Sequence, residues 1–558
     1  MKTVFLAALL LLAFGGVFLG WSGSVDDAHI TFYAAQVFGE RGEILNYNGE
    51  RVEQSSALLQ VLLLGVLHAA TGIGVVTLGH LTTLLAALLA LPLAYLLAQR
   101  LQPGSGSPAL LLLATSPFFV YWACGGMESP WLALLLLCLL LLADGYLQRG
   151  KPLWWLLPLS LAAQMARPEM PLLLPAFAAA LLPLHALLRI AAWRWRSLAA
   201  LLCLQLLCAA ALSAWRWHYF GDVAPQPVSA KVGDAWWANL QHGLQYAGDT
   251  VLDLRLALPT LLAIAGTLLV LRQRQPLALL LVVMAWLYAA FVVLSGGDWM
   301  AAGRFWVPVL PLLALLASVA LHVLFATPQW RYVLLVAVVT GNVLYLWRGT
   351  ATDFNGVPLW KTTKLDARDR VGEFSFFERH AREHLHDIPT ITFVRPLVQQ
   401  LLATQGPGQP LVVMAGQMGM LPFYLASEYP GRLRFIDRNG ITERTLTHCS
   451  AAQQLLRTRN GIGTGYEWLL ANREALVRQC GFVLPDIVFD IETGWNRKNI
   501  AALQQADYVF VYRQRGHIFH ETDGDWLPLR RIGAGQFIAV SQSAWERLGR
   551  PAAIERVF

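Results

Sequence analysis

Two adjacent carboxylates, Asp26 and Asp27, follow the first apolar run of the chain, in the stretch WSGSVDDAHITFYAAQVFGERGEILNYNGERVEQSS over residues 21–56. Neighbouring acids at the edge of an apolar segment repel each other and call for a partner: a cation, a metal or a substrate hydroxyl. The structural alternative is a helix cap, with one of the two closing the N-terminus of a helix that starts at Ala28. Both readings stay open on these residues alone. His29, two positions beyond Asp27, either shares a proton with it or is a helix-surface residue.

Four more loops set charges in unusual company. Gly125-Gly126-Met127-Glu128-Ser129 is a tight glycine turn that presents an acid between two apolar runs. Arg167-Pro168-Glu169 is a three-residue tip between two short ones. There an Arg and a Glu are costly unless they pair across the hairpin or bind a ligand. Lys231 follows the proline-stiffened Pro225-Gln226-Pro227; it either reaches back over the membrane face or snorkels into solvent. In the stretch SGGDWMAAGR, glycines allow close backbone approach, Asp298 is an acid, and Arg304 is expected to begin the next helix. The planar guanidinium fork matches a phosphate with two parallel hydrogen bonds. Arg167, Lys231 and Arg304, with several carboxylates at one level of the bilayer, suit a lipid-linked phosphate: cations hold the phosphate and a carboxylate handles a hydroxyl.

The elements that position these loops are apolar helices. The 558 residues are 56% hydrophobic and only 14% charged, against about 25% charged in soluble proteins, and the mean hydropathy is +0.49. Runs long enough to span a bilayer recur through the first two thirds, so the class is a polytopic α-helical membrane protein. The formal charge of +7 does not point to nucleic acid, because the cations lie in short loops between spans and do not alternate with aromatic residues along one face.

Val4–Gly20 reads as a retained signal anchor with its N-terminus inside. The later apolar segments are 55–70, 75–99, 109–123, 130–148, 152–166, 168–188, 197–217, 255–271, 277–294, 304–325 and 332–347. Basic residues at Arg100, Arg149/Lys151, Arg189/Arg194/Arg196, Arg272/Arg274 and Arg331 mark five loops as cytoplasmic, and the acid-bearing loops face the other side. The parity of this count requires 55–70 to begin and end on the outer face. It is also short of the ~20 residues a span needs, so it is expected to be re-entrant or to lie along the outer leaflet. Eleven transmembrane helices remain, with the C-terminus outside.

The composition changes near Trp347. Residues 1–347 are expected to form the transmembrane domain and 348–558 a C-terminal α/β soluble domain, with strands near 411–414, 433–436, 486–491, 508–512 and 537–540 and helices at 451–457 and 467–478. Cys124, Cys138, Cys203 and Cys208 lie in or beside spans without metal-type spacing. If the C-terminal region is outside the cytoplasm, Cys449 and Cys480 can form a disulfide. Gly416-x-x-Gly419 lacks the third glycine and the acid of a nucleotide fingerprint and reads as packing of a strand on a helix.

The acidic pair, the helix after it and the string ILNYNGERVEQSSALL resemble the first outer loop of polyprenyl-phosphate-sugar glycosyltransferases of the C-type (GT-C) fold. Within that superfamily GGMES, ARPE, APQPVSAK and GGDWMAAGRF, then AGQMGMLPFYL, FIDRNGITER and LPDIVFDI, resemble bacterial arabinofuranosyltransferases of mycobacterial cell-wall and pilin-modifying type. The resemblance covers nearly the whole chain; its motifs are loose but their order is specific. Gln54-Ser55-Ser56 and the Gly-Met-Glu turn depart from the relatives' threonine- or glycine-rich wording.

The resemblance implies transfer of a pentofuranosyl unit, D-arabinofuranosyl above others, from a polyprenyl-phosphate donor to a glycan or protein acceptor, such as a pilin, on the periplasmic side of a bacterial inner membrane. Asp26 or Asp27 would be the catalytic residue. Lys231, Arg304 and Arg167 would hold the donor phosphate. His29, Glu128, Glu169 and Asp298 would bind sugar or acceptor hydroxyls or orient the cations. The apolar tail would lie between the helices, and membrane lipid would be a further partner. Some relatives use a divalent metal, Mg or Mn; here only Asp26 and Asp27 offer ligands, a weak set. The competing readings are a GT-C enzyme for another polyprenyl-phosphate sugar, and a transporter or flippase of lipid-linked sugars. A flippase would need ionisable groups along a path to both faces, whereas these gather at the outer edge.

Overall fold

The structure is a computed structural model that describes residues 2–22, 25–231, 236–253, 257–298, 300, 303–325, 327–350, 394–406, 408–449, 452, 465–489, 497–513, 538–549 and 554–556. The chain divides into two compact units. One draws on Met1–Ser24, Val76–Arg216 and Trp236–Ala381, the other on Val25–Val75, Trp217–Ala235 and Arg382–Phe558.

The first unit is helical. Among the described residues of the chain, five helices are long and apolar enough to cross a membrane: Val75–Leu101, Ser129–Arg149, Met170–Leu188, Trp195–Phe220 and Pro276–Leu294. Helix Val75–Leu101 shows how such a helix is built. Leu81, Leu85, Leu89 and Leu96 form an exposed apolar stripe, while Ala86, Ala87, Ala90, Leu91 and Ala94 are buried on the opposite side. A stripe of that kind is at ease only against hydrocarbon or another apolar surface. Small residues also let helices approach closely: a Cβ on Gly266, in helix Ala257–Gln273, would overlap the backbone of Leu316 in helix Leu310–Leu324.

Two expectations for this unit are corrected. The segment 109–123 is a broken pair, Gly106–Ala114 and Pro117–Cys124, bent by 62° and counted as a sixth candidate span if taken as one. The cause is local: Pro117 restricts Ser116, which takes the extended ψ of 120° and ends helical geometry before the proline. Arg304 does not begin the long helix; it lies on a short 3-10 turn, Arg304–Trp306, and the helix starts at Leu310.

The second unit joins a helical hairpin to a mixed sheet. Helices Ala28–Arg41 and Leu58–Thr71 pack through Gly39 and Gly65; a Cβ on Gly65 would lie 2.8 Å from the Ala35 carbonyl oxygen. Helix Leu58–Thr71 has 14 residues, about 21 Å at 1.5 Å per residue, which is short of the roughly 30 Å hydrocarbon core. The strands are β1 Leu411–Ala415, β2 Leu433–Asp437, β3 Ile487–Phe489, β4 Tyr508–Arg513, β5 Ile538–Ser541 and β6 Ile554–Arg556, in the order β2-β1-β3-β5-β4-β6. β1 pairs in parallel with β2 and β3, in register Leu411↔Leu433 and Val413↔Ile487; the β3–β5, β5–β4 and β4–β6 pairs are antiparallel. All five residues of β1 are buried, as expected of a parallel strand covered on both faces.

Helix Met420–Glu428 lies between β1 and β2 in sequence, and the core behind the sheet includes Met414, Ile436, Tyr466 and Phe510. The helix expected at 467–478 is two, Tyr466–Ala471 and Arg473–Cys480, because Asn472 leaves helical geometry and bonds its side chain back to the Trp468 carbonyl at 2.9 Å. The helix expected at 451–457 lies outside the described residues except Ala452. Strand β6, three residues long, has no counterpart in the sequence reading.

Candidate active site

In the helical unit the charged loop residues form one buried network. Glu128 and Glu169 are the residues before helices Ser129–Arg149 and Met170–Leu188, and each is followed within two residues by a proline suited to a helix start. Carboxylates are favoured there by the helix dipole, yet neither side chain caps its own helix. Both turn to Arg167. That residue ends helix Leu156–Ala166 in an extended conformation, φ −151° and ψ 147°, which throws its side chain across. Its Nε donates to Glu169 Oε1 at 2.5 Å and an Nη donates to Glu128 Oε1 at 2.5 Å. The Tyr288 hydroxyl donates to the same Glu169 oxygen at 3.0 Å.

Arg304 makes the second pair. Gly303, at φ +55°, turns the chain so that the guanidinium grips Asp298 with two hydrogen bonds of 2.6 and 3.0 Å. Its remaining arm reaches Met127 Sδ at 3.8 Å. The Phe305 ring is shared: Arg167 Cζ lies 4.7 Å and Arg304 Cζ 5.3 Å from its centroid. Glu128, Arg167, Glu169 and Arg304 are all buried. Two guanidiniums therefore stand among three carboxylates in an apolar unit. Removing either arginine would leave buried carboxylates without their cation.

In the second unit the acidic pair begins helix Ala28–Arg41. Asp27 is the residue before it, and its side chain makes no cap hydrogen bond. The Asp26 carboxylate accepts the backbone N–H of Met420 at 2.6 Å. Capping of this helix by the Asp27 side chain, open on the sequence alone, is not what the structure shows. His29 is corrected as well. It is buried, not on the helix surface: Nδ1 faces the carbonyl oxygens of Val25 and Asp26 at 3.2 and 3.3 Å, and the ring packs on Phe423 at 5.3 Å. Gly419 does more than pack a strand on a helix, since a Cβ there would overlap the Asp26 carbonyl oxygen.

The loop after this helix is tied to the sheet. Asn46 Oδ1 accepts the N–H groups of Asn48 and Glu50 at 3.0 and 2.8 Å, closing a turn in which Gly49 takes φ +75°. The Asn48 amide then pairs both ways with the Phe435 backbone of edge strand β2, at 2.7 and 2.9 Å. Tyr47 donates its hydroxyl to the Gly419 carbonyl at 3.2 Å. Burial, and next the nearby Asp26 charge, push the Tyr47 pKa well up, so the phenol keeps its proton. The proline-stiffened loop is fixed by Gln226, whose side chain donates to the Gly440 and Glu443 carbonyls at 2.9 and 3.2 Å and to Thr447 Oγ1. Lys231 is the last residue of helix Gln226–Lys231; its side chain lies outside the described residues.

Cys449 and Cys480 are joined as a disulfide, with Cα atoms 5.2 Å apart. Among the described residues no group of three or more His, Cys, Asp and Glu side chains is placed to hold a metal ion. Tyr288, Phe305, Tyr47, Gln226 and Met420 belong to these networks and were not singled out as site residues from the sequence; the first two lie in otherwise ordinary apolar runs.

No family model matches the chain, and no curated protein matches it by sequence. Among solved structures it is similar to ArnT from Cupriavidus metallidurans bound to undecaprenyl phosphate, at 15% identity over 97% of this chain and 98% of that one, with a TM-score of 0.48. It is also similar to the Archaeoglobus fulgidus oligosaccharyltransferase in complex with Zn and sulfate, at 13% identity over 92% and 72% of the two chains, TM-score 0.48. For the arabinosyltransferase EmbB from Mycobacterium smegmatis the identity is 14% and the TM-score 0.41; this chain covers 45% of EmbB.

Proposed function

We propose that the chain is a membrane glycosyltransferase of GT-C type that moves a pentofuranosyl unit, D-arabinofuranosyl above others, from a polyprenyl phosphate to a glycan or protein acceptor, such as a pilin, on the periplasmic face of a bacterial inner membrane. The observation that supports it is the buried network of Arg167 and Arg304 with Glu128, Glu169 and Asp298 in an apolar helical unit. Charges so placed are expensive, and a role with an anionic lipid-linked substrate explains their presence. The proposal carries with it eleven spans, a re-entrant 55–70 segment, a cytoplasmic N-terminus, and a division into a transmembrane domain (1–347) and an outer domain (348–558).

In the reaction so proposed, a carboxylate of the Asp26–Asp27 pair takes the proton of the acceptor hydroxyl. That oxygen bonds to the anomeric carbon as the bond from this carbon to the phosphate oxygen breaks. Polyprenyl phosphate leaves with the electron pair, and guanidinium N–H groups of Arg167 and Arg304, with Lys231, stabilise the charge it gains. Glu128, Glu169 and Asp298 hold the two arginines in place, and His29 packs beneath the acidic pair.

The test is incubation of the purified protein with a panel of polyprenyl-phosphate sugars and candidate acceptors, with released polyprenyl phosphate read by mass spectrometry. Release with the arabinofuranosyl donor supports the reading. Release with another sugar alone moves the specificity, and no release with any donor refutes it.

A further inference from the structure

The end of the helical unit opposite the buried network carries a second polar feature. Helix Ser129–Arg149 starts next to Glu128 and has 21 residues, so its far end lies about 31 Å away at 1.5 Å per residue, roughly one hydrocarbon thickness. There a cleft of about 270 Å³ opens between three helix ends. Arg100 lines it from helix Val75–Leu101, Asp144, Gln148 and Arg149 from helix Ser129–Arg149, and Gln275 and Leu277 from the start of helix Pro276–Leu294. Asp144 is buried and accepts from Gln148 and from Arg149, the latter at 2.7 Å. That pairing fixes the Arg149 side chain and offsets its charge. Arg100 is exposed, and among the described residues it has no ion pair or side-chain hydrogen bond of its own. Two guanidiniums against a single carboxylate leave the cleft with a surplus positive charge.

Arg100 also continues an apolar stripe. Leu81, Leu85, Leu89 and Leu96 are exposed on the same helix, and at 3.6 residues per turn they and Arg100 fall within an arc of about 100°. Leu96 stands about one turn from Arg100 on that arc. Hydrocarbon alone would account for the leucines, and a free anion for the surplus cation. A molecule with both parts uses the two together. We propose that the cleft binds the headgroup of an anionic glycerophospholipid of the surrounding membrane, with its phosphate on Arg100 and an acyl chain along Leu96, Leu89 and Leu85. Basic pockets between helix ends at a membrane surface suit such headgroups. The site is distinct from the Glu128–Arg167 network, at the other end of helix Ser129–Arg149, and it does not depend on which substrate that network serves. A lipid held there joins the ends of helices Val75–Leu101, Ser129–Arg149 and Pro276–Leu294, and so stabilises the folded helical unit by mass action.

The experiment uses full-length protein in a neutral detergent, titrated with dioleoyl phosphatidylglycerol, dioleoyl phosphatidylcholine or glycerol phosphate. Bound adducts are counted by native mass spectrometry, and the melting temperature is recorded for each. The parent is expected to hold phosphatidylglycerol about fivefold more tightly than phosphatidylcholine, the gain a net anion draws from one arginine at a membrane surface. It is also expected to melt at a higher temperature with phosphatidylglycerol than with phosphatidylcholine. Glycerol phosphate, a head without chains, is expected neither to displace the lipid at equal concentration nor to raise the melting temperature. Arg100→Gln changes an exposed side chain and is expected to erase the preference. Arg196→Gln, at an exposed arginine of helix Trp195–Phe220, is expected to keep it. Equal binding of the two lipids by the parent overturns the proposal without recourse to any variant. Glycerol phosphate that binds as tightly as the lipid reveals a free-phosphate site and overturns the lipid assignment. A preference that survives Arg100→Gln, or that falls as far in Arg196→Gln, reflects surface charge in general and overturns the cleft.

Discussion

Burial lifts the Glu443 carboxyl to about 7, against hydrogen bonds from Thr445 that pull it the other way. A raised acid binds its proton more tightly in the folded chain than in the unfolded one. Between about pH 4.5 and 7 unfolding therefore releases a proton, and the stability contributed at this site falls as pH rises. Above pH 7 the ionised, buried carboxylate costs on the order of 3 kcal/mol. Glu443→Gln should accordingly raise the melting temperature at pH 8, with the gain shrinking toward pH 5; a gain independent of pH would contradict the assignment. Arg167 faces the opposite test. Its removal leaves Glu128 and Glu169 buried with no common cation, so Arg167→Ala should cost about 3–5 kcal/mol in thermal or denaturant unfolding. Arg167→Lys should recover only part of that loss, because an ammonium lacks the fork that reaches two carboxylates in fixed directions.

Within each unit the elements position such residues, and here close packing of backbone decides. Helices Ala28–Arg41 and Leu58–Thr71 meet at Gly39 and Gly65, with Phe38 and the Ala35 carbonyl at 2.6 and 2.8 Å from where a Gly65 Cβ would stand. Gly65→Val should push the hairpin apart at a cost of about 1–3 kcal/mol, measured as a lower melting temperature. A variant as stable as the parent would mean the helices have room to give. Strands β1 to β5 were legible as short apolar-rich runs, such as Leu411–Ala415 between Pro410 and Gly416, whereas the three-residue Ile554–Arg556 was not. The bend at Ser116 and the break at Asn472 were not read, because an apolar run flanks the first and a helical pattern continues across the second while backbone geometry does not. The site was legible only as a set of residue types in loops. Which donor meets which acid depends on pairings such as Arg167 with Glu128, 39 residues apart, and the Met420 amide with Asp26, 394 apart. No local periodicity encodes a contact at that separation.

At the scale of the whole molecule the charge is unevenly spread: residues 1–347 are apolar helices with their charges largely in loops, and residues 348–558 are mixed polar. The sheet-bearing unit is not simply the C-terminal third of the chain: it incorporates Val25–Val75 and Trp217–Ala235. The acidic loop is thus held by residues that follow it by some four hundred positions. The disulfide closes a 31-residue separation within this unit, and its reduction should lower stability by about 2–4 kcal/mol. A melting temperature insensitive to reductant would show that the surrounding core suffices. The central claim, transfer of a sugar from a polyprenyl phosphate, is tested most directly by the stoichiometry of the reaction in proteoliposomes. The account predicts one polyprenyl phosphate released per acceptor modified, and none from the Asp26→Ala/Asp27→Ala double variant. Intact lipid-linked sugar crossing the bilayer without release, or full activity in the double variant, would contradict it.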